Sequence, residues 1–144
     1  MNPILKEDVE NIIKEDIAWS SLKDSSVMIT GAGGMIGMYS MAVLVALNEE
    51  KDYNIKIIAA LRNKSKLPKF IQDRSDVEIL ICDVTEPVEY EGNVDYIIHA
   101  ASPASPLIMQ SKPVETIAAN TLGTFNTLEL ARKKGSKGYI FISS

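Results

Sequence analysis

The chain has 144 residues, 46% of them hydrophobic, which is enough for one sizeable core and too little for two ordinary domains. Its 19 acidic residues outnumber the 15 basic ones and leave a formal charge of -4, a field that opposes a polyanion and argues against nucleic acid as a partner. The single cysteine, Cys82, rules out an internal disulfide and fits a reducing, cytoplasmic setting; no stretch is apolar enough to cross a bilayer, so no membrane partner is expected.

Leu5, Val9, Ile12, Ile13 and Ile17 recur at helical spacing among Lys6, Glu7, Asp8, Glu10 and Lys14. Residues 1–24 therefore read as an amphipathic helical segment ahead of the main domain, and the early charges are not those of a signal peptide. The main domain, 25–144, opens with a strand over Ser25 to Thr30 that runs into Gly31-Ala32-Gly33-Gly34-Met35-Ile36-Gly37. Met38 to Asn48 is apolar almost all round, as a helix packed deep against a sheet is, and Met35, Met38 and Met41 read as its packing residues.

A second strand spans Ile55 to Leu61; its continuous apolar run predicts a parallel strand covered on both faces. Lys64 to Asp73, broken by Pro68, is a short helix or irregular crossover. A third strand runs from Val77 to Cys82, with Cys82 read as buried, and a fourth from Val94 to His99. Pro113 opens a long helix that Gly135 to Gly138 closes, with Ile117, Leu122, Phe125, Leu128 and Leu130 supplying apolar faces. Tyr139 to Ile142 is a fifth strand. Repeated strand-crossover units of this kind predict an α/β fold: a doubly wound parallel sheet of about five strands, order 3-2-1-4-5, with helices on both faces.

Gly31, Gly34 and Gly37 form a G-x-x-G-x-x-G pattern between a strand and a helix. Phosphate needs close backbone approach there, and a helix N-terminus supplies free N–H groups and a favourable dipole, so the expected ligand is the pyrophosphate of a dinucleotide. No His/Cys/Asp cluster has metal-ligand spacing.

The spacing of this loop resembles that of the extended short-chain dehydrogenase/reductase family, the NAD-dependent epimerases and dehydratases. Further motifs follow in the family's order. Asp83-Val84 is similar to its adenine-contacting pair and His99-Ala100-Ala101 to its fourth-strand signature. Asn120-Thr121-Leu122-Gly123-Thr124 resembles its helix motif, and Phe141-Ile142-Ser143-Ser144 its strand leading to the catalytic serine. The run from His99 to Pro106 looks most like the UDP-glucuronate decarboxylase and dTDP-glucose dehydratase branch.

The resemblance implies an enzyme that oxidises a sugar hydroxyl with NAD(P)+ and takes a nucleotide sugar as substrate. Cofactor contacts fall on Gly31, Gly34, Met35, Ile36, Gly37, Asp83, Val84, Ala100, Ala101, Ser102 and Asn120, and the substrate-orienting hydroxyl on Ser144, with Ser143 the alternative. Ser102 and Ser105 are equally explained by an ordinary turn, and Asp83 could cap one; His99 reads as structural or cofactor-lining rather than catalytic. Where NAD-preferring relatives carry an acidic residue, this chain has Leu61-Arg62-Asn63-Lys64. Arg62, helped by Lys64 or Lys66, suits a 2'-phosphate and tips the expectation toward NADP over NAD; a solvated basic loop is the alternative. None of Tyr39, Tyr53, Tyr90, Tyr96 and Tyr139 has a lysine four residues on, so the family's Tyr-x-x-x-Lys pair is missing from these residues. The expectation is an incomplete Rossmann domain that binds cofactor without turnover; a non-catalytic NAD(P)-binding sensor is the alternative. Relatives pair through the Asn120-bearing helix and the one after it, which leaves a homodimer open.

Overall fold

The structure, a computed structural model, describes residues 3–103 and 105–143. Five strands, β1 (Ser26–Thr30), β2 (Lys56–Leu61), β3 (Val77–Ile81), β4 (Tyr96–His99) and β5 (Gly138–Phe141), form one sheet in the order β3-β2-β1-β4-β5. Every pairing is parallel, with Ile29 opposite both Ala59 on β2 and Ile98 on β4. The order reverses at β1, so the chain leaves β1 and β4 on opposite sides of a crevice at their carboxyl ends.

Helices α1 (Pro3–Ile12), α2 (Met35–Lys51) and the short α3 (Lys69–Gln72) cover one face; α5 (Pro113–Lys134) covers the other. Central strands carry apolar residues on both faces because both are covered: Val27, Ile29, Ile57 and Ala59 enter the core under α2, while Met28, Ile58 and Ile97 meet Val84, Val94 and Leu130. The all-round apolarity of α2 has a second cause besides the sheet. Leu5, Val9 and Ile13 close over its outer side, so residues 41–47 are buried without a gap.

Several boundaries differ from expectation. The first helix ends at Ile12, and Ile17 is exposed after the chain turns away toward a 3-10 turn at Trp19–Leu22. A short helix, α4 (Pro106–Ser111), precedes α5, from which it is separated by Lys112. Cys82 lies just past β3, the edge strand of the sheet among the described residues, and is half-buried. On α5 the expectation of apolar packing fails for Ile117, Leu122, Phe125 and Leu128, which are exposed. Its inner face is Gly123, Thr127 and Leu130, with the Thr127 hydroxyl bonded to Tyr139 Oη at 2.8 Å. Small residues there bring the helix close to the sheet, and Gly135, at φ 64, ends it in the left-handed conformation.

Candidate functional site

Among the described residues, those of the motifs other than the helix motif lie at or beyond the carboxyl ends of the strands. Gly31 leaves β1 at φ 67, and a Cβ there would stand 2.5 Å from the Ala100 carbonyl oxygen. The loop thus touches the end of β4, which only a residue without a side chain permits. The Gly34 N–H donates to the Gly31 carbonyl at 2.8 Å and Gly34 caps α2 with no side chain of its own to satisfy the helix end. At Gly37 a Cβ would meet the Gly31 carbonyl oxygen at 2.6 Å. The first-turn N–H groups of Met35, Ile36 and Gly37 have no intrahelical acceptors; Met35 and Ile36 are 73% and 44% exposed, while Gly37 is buried against the Gly31 carbonyl. Met41, by contrast, is fully buried. The packing role expected of three methionines belongs to Met41 and partly to Met38, because Met35 sits at the open end of the helix.

Arg62 follows β2, is 74% exposed on its side chain and lies 3.8 Å from Asp83 Oδ2. The other carboxylate oxygen of Asp83 accepts from the Thr85 N–H at 3.0 Å and the Thr85 hydroxyl at 2.8 Å. These bonds, with the Arg62 charge behind them, hold its pKa below the usual carboxylate value. The turn-capping reading of Asp83 is therefore realised in the chain itself, with one oxygen left toward Arg62. Lys64 and Lys66 lie on the 3-10 turn Lys64–Lys66, whose start is tied by the Ser65 N–H donating to Asn63 Oδ1. Lys66 Cβ is 2.7 Å from where a Cβ of Gly33 would be, so this basic turn rests on the glycine loop. Gly33 was not singled out in the sequence; its signal is a fourth glycine in a loop that needs three.

His99 is 1% exposed, and its Nδ1 is 2.7 Å from the Thr30 hydroxyl. Its ring stacks on Phe141 at 5.7 Å between centroids, and burial lowers its pKa. That is a structural histidine tying the ends of β1, β4 and β5, with Nε2 buried and without a hydrogen-bond partner among the described residues. Ala100 and Ala101 are half-buried beside it, and Ser102 is exposed. The Ser105 carbonyl accepts from the Met109 N–H at the start of α4.

Asn120 is part-buried on α5, and its Nδ2 donates to the Thr116 carbonyl of its own helix at 3.0 Å. The bond from α5 to the site loops comes from Asn126, which donates to the Val84 carbonyl at 2.9 Å. Gly123 makes room for this, since a Cβ there would be 2.9 Å from Val84 Cγ2. Ser144 lies outside the described residues, and its neighbour Ser143 is exposed just after β5.

A model of the NAD dependent epimerase/dehydratase family matches residues 27–144. The chain belongs to that family. Among curated relatives, UDP-glucuronic acid decarboxylase 6 of Arabidopsis thaliana is 36% identical over 111 residues, which cover 77% of this chain and 31% of the relative. UDP-glucuronic acid decarboxylase 1 of Xenopus tropicalis is 30% identical over 140 residues, covering 92% and 32%. This family member thus spans about a third of the length of the curated relatives it matches. In structure it is similar to WbmF of Bordetella bronchiseptica, solved with NAD+ and UDP, at a TM-score of 0.68 and 18% identity over 85% of this chain and 36% of that one. That likeness concerns the fold.

Proposed function

We propose that this chain is the NAD(P)-binding part of a nucleotide-sugar epimerase, dehydratase or decarboxylase, and that these 144 residues hold the cofactor without turning over substrate. The observation that carries it is the cradle at Gly31, Gly34 and Gly37, where a side chain at the first or third would collide with backbone and the helix behind offers unused N–H groups. These residues fit a pyrophosphate, with the Met35, Ile36 and Gly37 N–H groups as donors. On this reading Val84, Ala100, Ala101 and Ser102, just past β3 and β4, and Asn120 on α5 are further cofactor contacts, and Asp83 Oδ2, which faces Arg62, suits an adenine amino group. Bound there, a nicotinamide supplies a hydride acceptor for a sugar hydroxyl.

Arg62 supports NADP over NAD. Its guanidinium is exposed beside the crevice, and Lys64 and Lys66 add charge where a 2'-phosphate projects from the adenosine ribose. The relatives' printed names support a UDP-sugar as the substrate of the longer protein, with Ser144 or Ser143 orienting it. Absence of a Tyr-x-x-x-Lys pair from the 144 residues supports binding without turnover. The same observation favours a second reading, a non-catalytic NAD(P) sensor; a coding sequence that continues into Tyr-x-x-x-Lys decides for the enzyme and a stop codon after Ser144 for the sensor. The exposed apolar residues of α5 support a homodimer, and the lone Cys82 a cytoplasmic setting.

The test is calorimetric titration with NAD+, NADP+ and NADPH, in parallel with Arg62→Ala. Saturable binding is expected, tighter for NADP+, with the substitution costing NADP+ about tenfold in affinity, equivalent to a charge-assisted hydrogen bond, and NAD+ less than twofold. Equal loss for both dinucleotides removes the 2'-phosphate role of Arg62. No binding of any of the three removes the cofactor reading.

A further inference from the structure

Helix α1 lies outside the residues that match the family and yet is built into the core against α2. Leu5, Val9 and Ile13, spaced by four, close the outer side of α2, whose opposite side lies on the sheet. Apolar contacts of this kind set by close packing where the helix lies, and a directional polar contact adds a fixed angular point near its end. One polar contact between the two helices is directional. The Tyr39 hydroxyl donates to Asp8 Oδ2 at 2.9 Å, and the carboxylate holds the phenol in its protonated, donating form.

Tyr39 lies five residues past the cap at Gly34, within the second turn, so its anchorage acts close to the ligand end of α2. A rotation of ~20° at the Cα radius of ~2.3 Å displaces a Cα atom by ~0.8 Å and the N–H groups nearer the axis by less, a shift on the scale of the ~0.5 Å a binding constellation tolerates. We propose that Asp8 and Tyr39 are a positioning pair, which sets the rotation of α2 and thereby the aim of the Met35, Ile36 and Gly37 N–H groups at the pyrophosphate of the dinucleotide. The inference rests on the cofactor reading given above and adds to it a role for the segment before β1.

The experiment compares wild type with Asp8→Ala, Tyr39→Phe and the double variant, in the 144-residue chain. Affinity for NADP+ and NAD+ is measured by calorimetry, binding of 2'-AMP by NMR titration, and the melting temperature alongside. 2'-AMP carries adenosine and a 2'-phosphate but no pyrophosphate. Each single substitution is expected to weaken the dinucleotide three- to tenfold, the double no more than the larger single, and 2'-AMP less than twofold. Dinucleotide affinities within twofold of wild type in both single variants overturn the pair. So does parallel weakening of 2'-AMP, which is what general loosening of the fold produces, and so does an additive double variant. Failure of the wild-type chain to bind either dinucleotide is a different result: it removes the cofactor reading, and the pair with it.

Discussion

The glycines of the crevice differ in what a methyl group would meet, and that difference makes a prediction. At Gly37 the added Cβ runs into the Gly31 carbonyl and the Ala32 backbone, at 2.6 and 2.8 Å, with no flexible side chain to give way. Gly37→Ala is expected to abolish dinucleotide binding by calorimetry and to lower stability by about 1–3 kcal/mol in urea unfolding. Gly33→Ala meets Lys66 Cβ, a side-chain atom on an exposed turn, so the turn can shift; a smaller loss of stability is expected in the same assay. A Gly37→Ala variant that binds as wild type removes the close approach on which the site is built.

His99 gives a second residue-scale prediction. It is the chain's one histidine, and burial lowers its pKa in the fold relative to the unfolded chain. The unfolded state therefore takes up the proton first as pH falls below about 6.5, and the stability held by the neutral ring is present above that pH and lost beneath it. Urea unfolding is expected to show stability falling from pH 7 to pH 5, by no more than about 1.4 kcal/mol per pH unit from this group. His99→Gln, which keeps a polar partner for Thr30, is expected to flatten that fall. A slope unchanged by the substitution assigns it to other groups.

At the scale of elements, α5 shows how a helix divides its residues. Leu130 is 3% exposed against Val84 and the sheet, whereas Leu128, two residues earlier, is 45% exposed. Leu130→Ala is expected to cost about 2–4 kcal/mol by urea unfolding, in the range of core leucine truncations, and Leu128→Ala under 1 kcal/mol. Equal losses would mean that the outer face is also covered in solution. Helix α1 makes the complementary case: a short segment, marginal in isolation, is held because its Leu5, Val9 and Ile13 stripe fits over α2.

At the scale of the molecule, α4 and α5 carry several exposed apolar residues, among them Leu107, Val114, Ile117, Phe125 and Leu128, and exposed apolar side chains on neighbouring helices favour association. Sedimentation velocity is expected to show concentration-dependent association, suppressed when Phe125 and Leu128 are replaced by lysine. A chain that is monomeric across the concentration range in both forms removes the homodimer.

The strand order, the glycine loop and the family were legible in the amino-acid sequence, because each rests on local chemistry: continuous apolar runs for buried parallel strands, glycine where backbone must approach backbone, a fixed order of short motifs. The same local signals misled on α5, since Ile117, Leu122, Phe125 and Leu128 have the composition of a core face and only the helix's rotation against the sheet decides that Gly123, Thr127 and Leu130 face inward. Only tertiary structure brought Asp8 to Tyr39, Asn126 to Val84 and His99 to Thr30, because these partners are 31, 42 and 69 residues apart and no periodicity spans such distances. What the sequence alone determined is where glycine lets backbone approach backbone after β1; what the fold decided is which side chains hold that loop in position.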